Sequence, residues 1–203
     1  MTTSLTDEQL IAQGMTVAAH ARRMPDRLAI ISPSGNLSWK QLNEQANRMV
    51  RLFRRRGLQV GDGVALLAHN GPEFAVVWAA TQRSGLRLTA VNWHQTPEVI
   101  AYVVDNCDAR ALIASGRFVA GATAAAGLSD KLAVKLSYAG GIEGFDDFDA
   151  ALVRETGEDI DDAEPGSAAK PVRIRKRVLH ANVENDDDID NGVDDDDDGD
   201  DDD

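Results

Sequence analysis

Three short apolar runs, separated by two amphipathic stretches, constrain the fold of this chain more than any other feature of its sequence. They lie at residues 64–68, 87–92 and 110–115. Each run has the length and composition of a buried strand. The stretches between them have helix signals: one ends at Gly85, and the other begins with Thr96 at the cap position followed by Pro97. Strands and helices that alternate in this way are joined by right-handed crossovers into a parallel sheet. We therefore predict an α/β fold, with a partial, mainly parallel sheet and flanking helices.

The clearest helix signal precedes these runs. Ser38 and Gln41 form a capping box, apolar residues recur at helical spacing through Phe53, and Gly57 ends the pattern. Three consecutive arginines at 54–56 fall in the last turn, where cations oppose the negative end of the helix dipole. We interpret them as structural and predict no nucleic-acid contact.

Two weaker patterns complete the predicted elements. The segment "RLAIISPSGNLSW" is predicted to form a hairpin that turns at Ser34 to Asn36 and is an antiparallel addition to the sheet. The segment "KLAVKLSY" at residues 131–138 is a further candidate strand.

The end of the chain differs sharply from the rest in charge. Residues 183–203 contain 14 of the 34 acidic residues and no Lys or Arg, which leaves 20 acidic residues against 21 basic ones in residues 1–182. Such a run of like charges repels itself, so we predict a disordered tail. The predicted organisation is a flexible N-terminus at 1–14, a partial domain at 15–169, and a basic and then Asp-rich tail at 170–203.

Several classes of protein and site are excluded by the sequence. A membrane span would need about 20 consecutive apolar residues, and no such run occurs. The N-terminus lacks the positive charge and apolar block of a secretory signal. A single cysteine, Cys107, lies on the apolar face of its helix, which predicts an inert packing role and fits a reducing compartment, so we predict a cytoplasmic location.

No metal site is predicted. The four histidines, which share no ligand spacing with Cys107 or with one another, are His20, His69, His94 and His180. The aspartates at 194–198 supply the first oxygens of a calcium loop, but the bidentate acid that such a loop requires would fall at position 205.

A series of motifs over residues 25–113 resembles a known family. The chain has a Gly-x-x-x-Gly-Asp turn, "GLQVGD", then "NGPEF" opening a helix, then "TPEVIAY", whose Tyr102 precedes the strand "ARALI". In this order and spacing, the motifs resemble the start of the AMP-forming acyl-CoA synthetases of the adenylate-forming superfamily. The stretch "VNWHQT" is more similar to fatty-acyl members than to amino-acid-activating ones.

The resemblance implies a two-step reaction in the complete family enzyme. A carboxylate attacks the α-phosphate of ATP to give an acyl-adenylate, and coenzyme A then takes the acyl group; Mg²⁺ and a Ser/Thr/Gly-rich loop neutralise the phosphate charge. The segment "EPGSAAK" at 164–170 resembles the lead-in to that loop, but "PVRIRKRVLH" follows in place of the loop. We therefore expect this chain alone to use no cofactor and assign it no catalytic residue.

The composition changes abruptly near Ala169. A shift of reading frame would produce such a junction, and a genuine acquired tail is the alternative.

Three residues are predicted to line a substrate channel. Asn92 ends the second predicted strand, and Trp93 and His94 follow it at the sheet edge where α/β folds commonly place binding loops. In the family that the chain resembles, this region approaches the acyl and pantetheine side of the site. A purely structural loop is the alternative interpretation.

The leading hypothesis is descent from an acyl-CoA ligase, with the chain as written catalytically inactive. The alternatives are a non-catalytic acyl- or protein-binding module, and an acidic tail that binds cations or a basic partner. The predicted partners are a fatty acid or acyl-CoA, and a complementary half that pairs with an open sheet edge. Because part of the sheet is expected to be missing, we predict marginal stability.

Overall fold

The structure, a computed structural model, describes residues 5–165 of the chain. The predicted tail at 170–203 and its cation-binding alternative lie outside these residues. The helices and strands of the described part, in chain order, are α1 (Asp7–Ala12), α2 (Thr16–Arg23), β1 (Leu28–Ser32), β2 (Gly35–Ser38), α3 (Trp39–Arg55), β3 (Gly63–Leu67), α4 (Pro72–Arg83), β4 (Arg87–Ala90), α5 (Pro97–Asn106), β5 (Ala109–Ser115), α6 (Val119–Leu128), β6 (Val134–Tyr138), β7 (Asp146–Asp147) and α7 (Phe148–Leu152).

A parallel sheet of five strands forms the centre of residues 5–165. Its strand order is β4-β3-β5-β6-β7, and every neighbouring pair is parallel. Strand β3 lies in the sheet interior, where Leu66 pairs with Ala90 on one side and with Ile113 on the other. The predicted α/β class with a mainly parallel sheet is therefore confirmed.

Helices cover both faces of this sheet. Val64 and Leu66 of β3 pack into the apolar cluster that contains the buried residues of α3 and α4, whereas Ala65 and Leu67 pack into the cluster that contains those of α5 and α6. All five residues of β3 are consequently buried. This two-sided burial explains why the strand has an unbroken apolar sequence instead of an alternating one.

Helix α3 has the boundaries that its sequence predicts. The Gln41 amide donates to Ser38 Oγ at 3.2 Å, and the Ser38 amide donates to Gln41 Oε1 at 2.9 Å, so the capping box is formed. After the helix, Gly57 has a φ of +83°, a conformation that costs glycine little and side-chain-bearing residues more. Between these ends, Met49, Val50 and Phe53 are fully buried.

The three arginines at the end of α3 form ion pairs, which the interaction of their charges with the helix dipole did not predict. Arg54 is paired with Asp162 at 2.7 Å, Arg55 with Glu155 at 2.6 Å, and Arg56 with Asp146 at 2.6 Å. All three carboxylates come from the last part of the described chain. These ion pairs are a second reason, besides the helix dipole, to interpret the three arginines as structural.

The hairpin and the N-terminus differ from their predicted form. Strands β1 and β2 are antiparallel, as predicted, but they form a separate two-stranded sheet, and the turn lies between Ser32 and Gly35. Helix α1 lies within the region assigned as a flexible N-terminus; Thr6 and Gln9 form its capping box, and Leu10 is buried. This helix was not predicted, because six residues are too few for an amphipathic repeat to stand out in the sequence.

Among residues 5–165, none of the helices combines the length and the apolar character needed to cross a lipid bilayer.

Candidate functional site at the carboxyl edge of the sheet

The connections of the sheet create a crevice beside β3. The chain leaves β3 through α4 and returns in β4 on one side, and then crosses to β5 on the other side of β3 and continues to β6. Helix α4 covers one face, whereas α6, which follows β5, covers the other. Connections that diverge from two adjacent strands leave a crevice at their carboxyl ends, which is where open α/β sheets bind ligands.

Four aromatic and imidazole rings meet at this edge, from loops that follow three adjacent strands. His69 follows β3, Trp93 and His94 follow β4, and Phe118 follows β5. The centroid of the Trp93 ring lies 3.5 Å from that of His94, 4.6 Å from that of His69 and 5.3 Å from that of Phe118, and His69 and Phe118 are 4.7 Å apart. We call these four residues the ring cluster.

The three residues predicted to line a substrate channel have different environments in this cluster. Trp93 is half-buried at its centre, and His94 is exposed and stacked on the Trp93 ring. Asn92 contributes no ring; its Oδ1 accepts a hydrogen bond from the His94 amide at 3.0 Å. Asn92 therefore shapes the turn that presents the other two side chains.

His69 and Phe118 were missed as site residues in the sequence. Both are half-buried, and both lie just beyond a strand that was predicted correctly. Applying the rule that selected Trp93 to the ends of the other strands would have found both residues. The strand order was the missing information, because it decides which strand ends are neighbours.

A second, polar group lies at the same edge around Tyr138, the last residue of β6. Burial and the nearby carboxylate of Glu73 raise the pKa of Tyr138 to about 12, while a hydrogen bond with Ser115 and the charge of Arg117 act in the opposite direction. Glu73 belongs to the first turn of α4, and Ser115 is paired with Tyr138 across β5 and β6. The phenol therefore remains neutral at physiological pH.

The loops that follow β5 and β6 touch each other beside this polar group. A Cβ atom added to Gly116 would lie 2.5 Å from the carbonyl oxygen of Gly140, so a side chain at position 116 would force the two loops apart. The close approach of the two backbones holds the end of β5, and with it the loop that carries Phe118.

Other candidate groups lie outside this site. Cys107 is buried on the α5 face, its thiol donates to the Val104 carbonyl at 3.3 Å, and burial raises its pKa, which agrees with the predicted packing role. An open cavity of about 240 Å³ at the opposite edge of the sheet is lined by Arg54, Ser84 and Glu164, among others.

Neither a metal-ligand cluster nor a Gly-Lys-Ser/Thr phosphate motif is found among residues 5–165. Among residues 5–165 there is no group of three or more His, Cys, Asp or Glu side chains placed to hold a metal ion. The loops after β3 and β5, "AHNGPEF" and "GRFVAG", contain no Gly-Lys-Ser/Thr sequence to hold a phosphate. The ring cluster instead offers apolar ring faces and imidazole hydrogen-bonding groups.

Comparisons with known proteins agree with the fold and with the family that the sequence resembles. Residues 17–188 match the family model described as AMP-binding enzyme. The long-chain fatty acid transport protein 1 of Mus musculus is 33% identical over 120 residues, which are 58% of this chain and 18% of that protein. The crotonobetaine/carnitine–CoA ligase of Proteus mirabilis is 31% identical over 112 residues, 49% of this chain and 22% of that enzyme.

A solved structure with the same fold is the benzoate CoA ligase of Burkholderia xenovorans, with a TM-score of 0.63 at 19% identity. The match covers 78% of this chain and 30% of that enzyme, and the chain spans about a fifth of the length of the two relatives above. The matched family model covers most of the sequence. The chain therefore belongs to the AMP-binding enzyme family.

Proposed function

We propose that the ring cluster lines the path of the acyl substrate in an AMP-forming acid–CoA ligase, with Asn92 shaping the loop that presents Trp93 and His94. One observation carries this proposal: loops after three adjacent strands bring their rings together at the crevice beside β3. Such convergence at the carboxyl edge is typical of a ligand site in an open α/β sheet.

The chemistry of the cluster suits a carboxylic acid with an apolar part. The faces of Trp93 and Phe118 are half-buried and can contact an alkyl or aryl group, while the imidazoles of His69 and His94 can donate hydrogen bonds to a carboxylate or carbonyl. The similarity to a protein named for long-chain fatty acids supports a fatty acid or its thioester as the ligand.

We further propose that these residues alone do not form an acyl-adenylate. In the complete family enzyme, ATP with Mg²⁺ supplies the activated phosphate and coenzyme A supplies the acceptor thiol. In this sequence, "PVRIRKRVLH" stands where the family has its Ser/Thr/Gly-rich phosphate loop. We infer that residues 5–165 supply part of the fold and a wall of the acyl path, and that groups outside them neutralise the phosphates.

Ligand binding at the cluster is tested with the fluorescence of Trp93. Replacing the other two tryptophans, Trp39 and Trp78, by Phe leaves Trp93 as the single reporter. We expect saturable quenching on titration with decanoate, palmitate or palmitoyl-CoA, and weaker affinity when His69 is replaced by Ala.

The matched control is His20→Ala. In the native chain the His20 ring lies 4.5 Å from the Trp39 ring, much as the His69 ring lies 4.6 Å from that of Trp93. In the single-tryptophan protein His20 therefore lies beside position 39 and not beside the reporter. Equal loss of affinity in both variants, or no saturable quenching by any of the ligands, contradicts the proposal.

Adenylation is tested by ATP/pyrophosphate exchange with a panel of fatty acids on the purified chain. We expect no carboxylate-dependent exchange above that of a mock purification. Exchange that survives this control would show that the chain holds phosphate-binding groups. Repeating the assay with a second polypeptide that carries the remainder of a ligase tests the predicted complementary half.

A further inference from the structure

The last part of the described chain crosses helix α3 without forming a helix or a strand of its own. Between the end of α7 at Leu152 and Glu164, where a single bridge pairs with Ser84, the backbone is irregular. We call residues 155–164 the strap. Within it, Ile160 is buried and Ala163 packs against the core, while most of its other residues are exposed.

Arginines of α3 hold the strap mainly through its backbone carbonyls. Arg51 donates to the carbonyls of Thr156, Glu158 and Asp159 at 3.1, 2.6 and 3.3 Å. Arg54 adds a hydrogen bond to the Asp162 carbonyl at 3.1 Å as well as its ion pair with the Asp162 carboxylate. Because hydrogen bonds to charged donors are stronger than those between neutral groups, these contacts replace the apolar burial that the strap lacks.

A buried arginine connects the strap to the layer beneath α3. Arg83, at the end of α4, is fully buried, and its Nη1 donates to Asn43 Oδ1 at 2.8 Å and to Asn47 Oδ1 at 2.5 Å. The amide nitrogens of the same two asparagines donate to Asp159 Oδ1 at 2.7 and 3.1 Å. Two carboxamides thus join a buried cation to a carboxylate on the strap.

The oxygen and the nitrogen of each asparagine carboxamide both have a hydrogen-bond partner in this arrangement. Arg83 fixes the amide oxygens, and Asp159 fixes the amide nitrogens, so neither asparagine can flip without losing a charge-assisted bond. Burial lowers the pKa of Arg83 to about 10 and Asp159 acts in the opposite direction, so the guanidinium keeps its charge at neutral pH. We call Arg83, Asn43, Asn47 and Asp159 the catch.

The end of the strap returns to Arg83 through the backbone. The Glu164 amide donates to the Arg83 carbonyl at 3.0 Å, and Glu164 forms a parallel bridge with Ser84. The carbonyl of Arg83 therefore binds the strap directly, whereas its side chain is joined to the strap through Asn43 and Asn47.

We propose that the strap is a latch, a unit that opens and closes on α3 independently of the sheet, with the catch as the contact that keeps it closed. Segments with little apolar burial and with polar contacts open at lower free energy than the core to which they attach. The strap has this character, whereas β3 and β5 are buried on both faces. Arg83 and Asp159 are the two ends of this closing contact.

Thiol labelling of the full chain separates strap opening from sheet opening in one sample. Ile160→Cys places a reporter under the strap, and the native Cys107, buried on the opposite face of the sheet, reports opening of the sheet. With each rate divided by the rate of the same thiol in urea, we expect the cysteine at position 160 to react faster than Cys107. Equal normalised rates, which mean that the strap opens only with the whole fold, would overturn the proposal.

The catch is tested in the Ile160→Cys background. Asp159→Ala removes the acceptor of both asparagines, so we expect labelling at position 160 to accelerate about ten-fold or more, with the Cys107 rate unchanged. Asp161→Ala is the matched control, because Asp161 is also exposed on the strap and its replacement by Ala removes the same charge. No acceleration by Asp159→Ala, or the same acceleration by Asp161→Ala, would contradict the role of the catch.

A double substitution tests whether the catch acts as a unit. Arg83→Met should accelerate labelling at position 160, and adding it to Asp159→Ala should give little further acceleration, because the contact is already broken. Multiplicative effects of the two substitutions would show that Arg83 and Asp159 act separately. The Asp159→Ala result stands without Arg83→Met if that variant fails to fold, since Asp159 is an exposed residue.

Discussion

The ring cluster and the strap lie on the same fold and are stabilised by different interactions. The ring cluster brings together half-buried rings from three strand ends, with imidazoles as its polar groups. The strap has few apolar anchors and is held by arginines, two asparagines and carboxylates. Loss of one ring removes a weak contact, whereas loss of one buried charge leaves several polar groups without partners. The two regions should therefore respond very differently to substitution, pH and salt.

The largest effect is expected for Arg83→Ala. This substitution empties a fully buried site and leaves Asn43 Oδ1 and Asn47 Oδ1 without their donor, so we expect a loss of about 3 kcal/mol in the free energy of unfolding. Urea unfolding followed by circular dichroism measures it. Arg154→Ala, at an exposed position beside the strap, is the control and should change stability little. Similar losses in the two variants would remove the distinction between the catch and the surface arginines.

The next effect is on the pH dependence of stability at the carboxyl edge. Because folding raises the pKa of Tyr138 from about 10 to about 12, the folded state holds this proton in a range where the unfolded state has lost it. Binding of this proton contributes up to about 2 kcal/mol to the free energy of unfolding. The contribution is present in full below pH 10 and is lost as the pH rises to 12. Urea unfolding at several pH values should show this loss in the native chain and a smaller one in Tyr138→Phe. Parallel curves for the two proteins would contradict the assignment.

A smaller effect is expected within the ring cluster. Trp93→Ala removes ring contacts that are half-exposed to water, so we expect a loss of about 1–2 kcal/mol in the free energy of unfolding. Binding of the fatty acid, measured by calorimetry since the reporter is gone, should decrease far more than stability. A loss of stability as large as that of Arg83→Ala would mean that the cluster is a core element.

The smallest effect concerns the exposed ion pairs of the strap. Arg54→Gln breaks a pair whose Asp162 partner is 64% exposed, and we expect a loss of about 0.5 kcal/mol that shrinks further in 0.5 M NaCl. Thermal unfolding at low and high salt measures it. A salt-independent loss above about 2 kcal/mol would mean that this ion pair behaves like the buried contacts of the catch and not like an exposed ion pair.

Most of the sheet and its main helices could be predicted from local sequence patterns. The boundaries of α3 and α4 and the positions of β3 and β5 agree with the apolar periodicity, the capping box at Ser38 and the glycines that end each helix. Strand β4 ends at Ala90, earlier than the predicted residue 92, because Asn92 begins the turn that its own side chain stabilises. Thr96 occupies the predicted cap position of α5 without making a side-chain cap bond.

The missed elements lack a periodic signal. Helix α6, "VAGATAAAGL", is made almost entirely of small and apolar residues, so its sequence has no polar face to set against an apolar one. Helices α1 and α7 have six and five residues, which is too short for an amphipathic repeat to stand out. These elements form because the core of the larger helices offers them a surface on which to pack.

The sequence by itself determined the α/β class, the order of strands and helices from β1 to β5, the family and the loop that carries Trp93 and His94. These features depend on residues close together in the chain, where spacing and turn chemistry act directly. The tertiary structure alone decided which strand ends are neighbours, and so placed His69 and Phe118 beside Trp93. It also joined Arg83 to Asp159 through Asn43 and Asn47, residues separated by up to 116 positions, because contacts at such separations depend on how the layers pack.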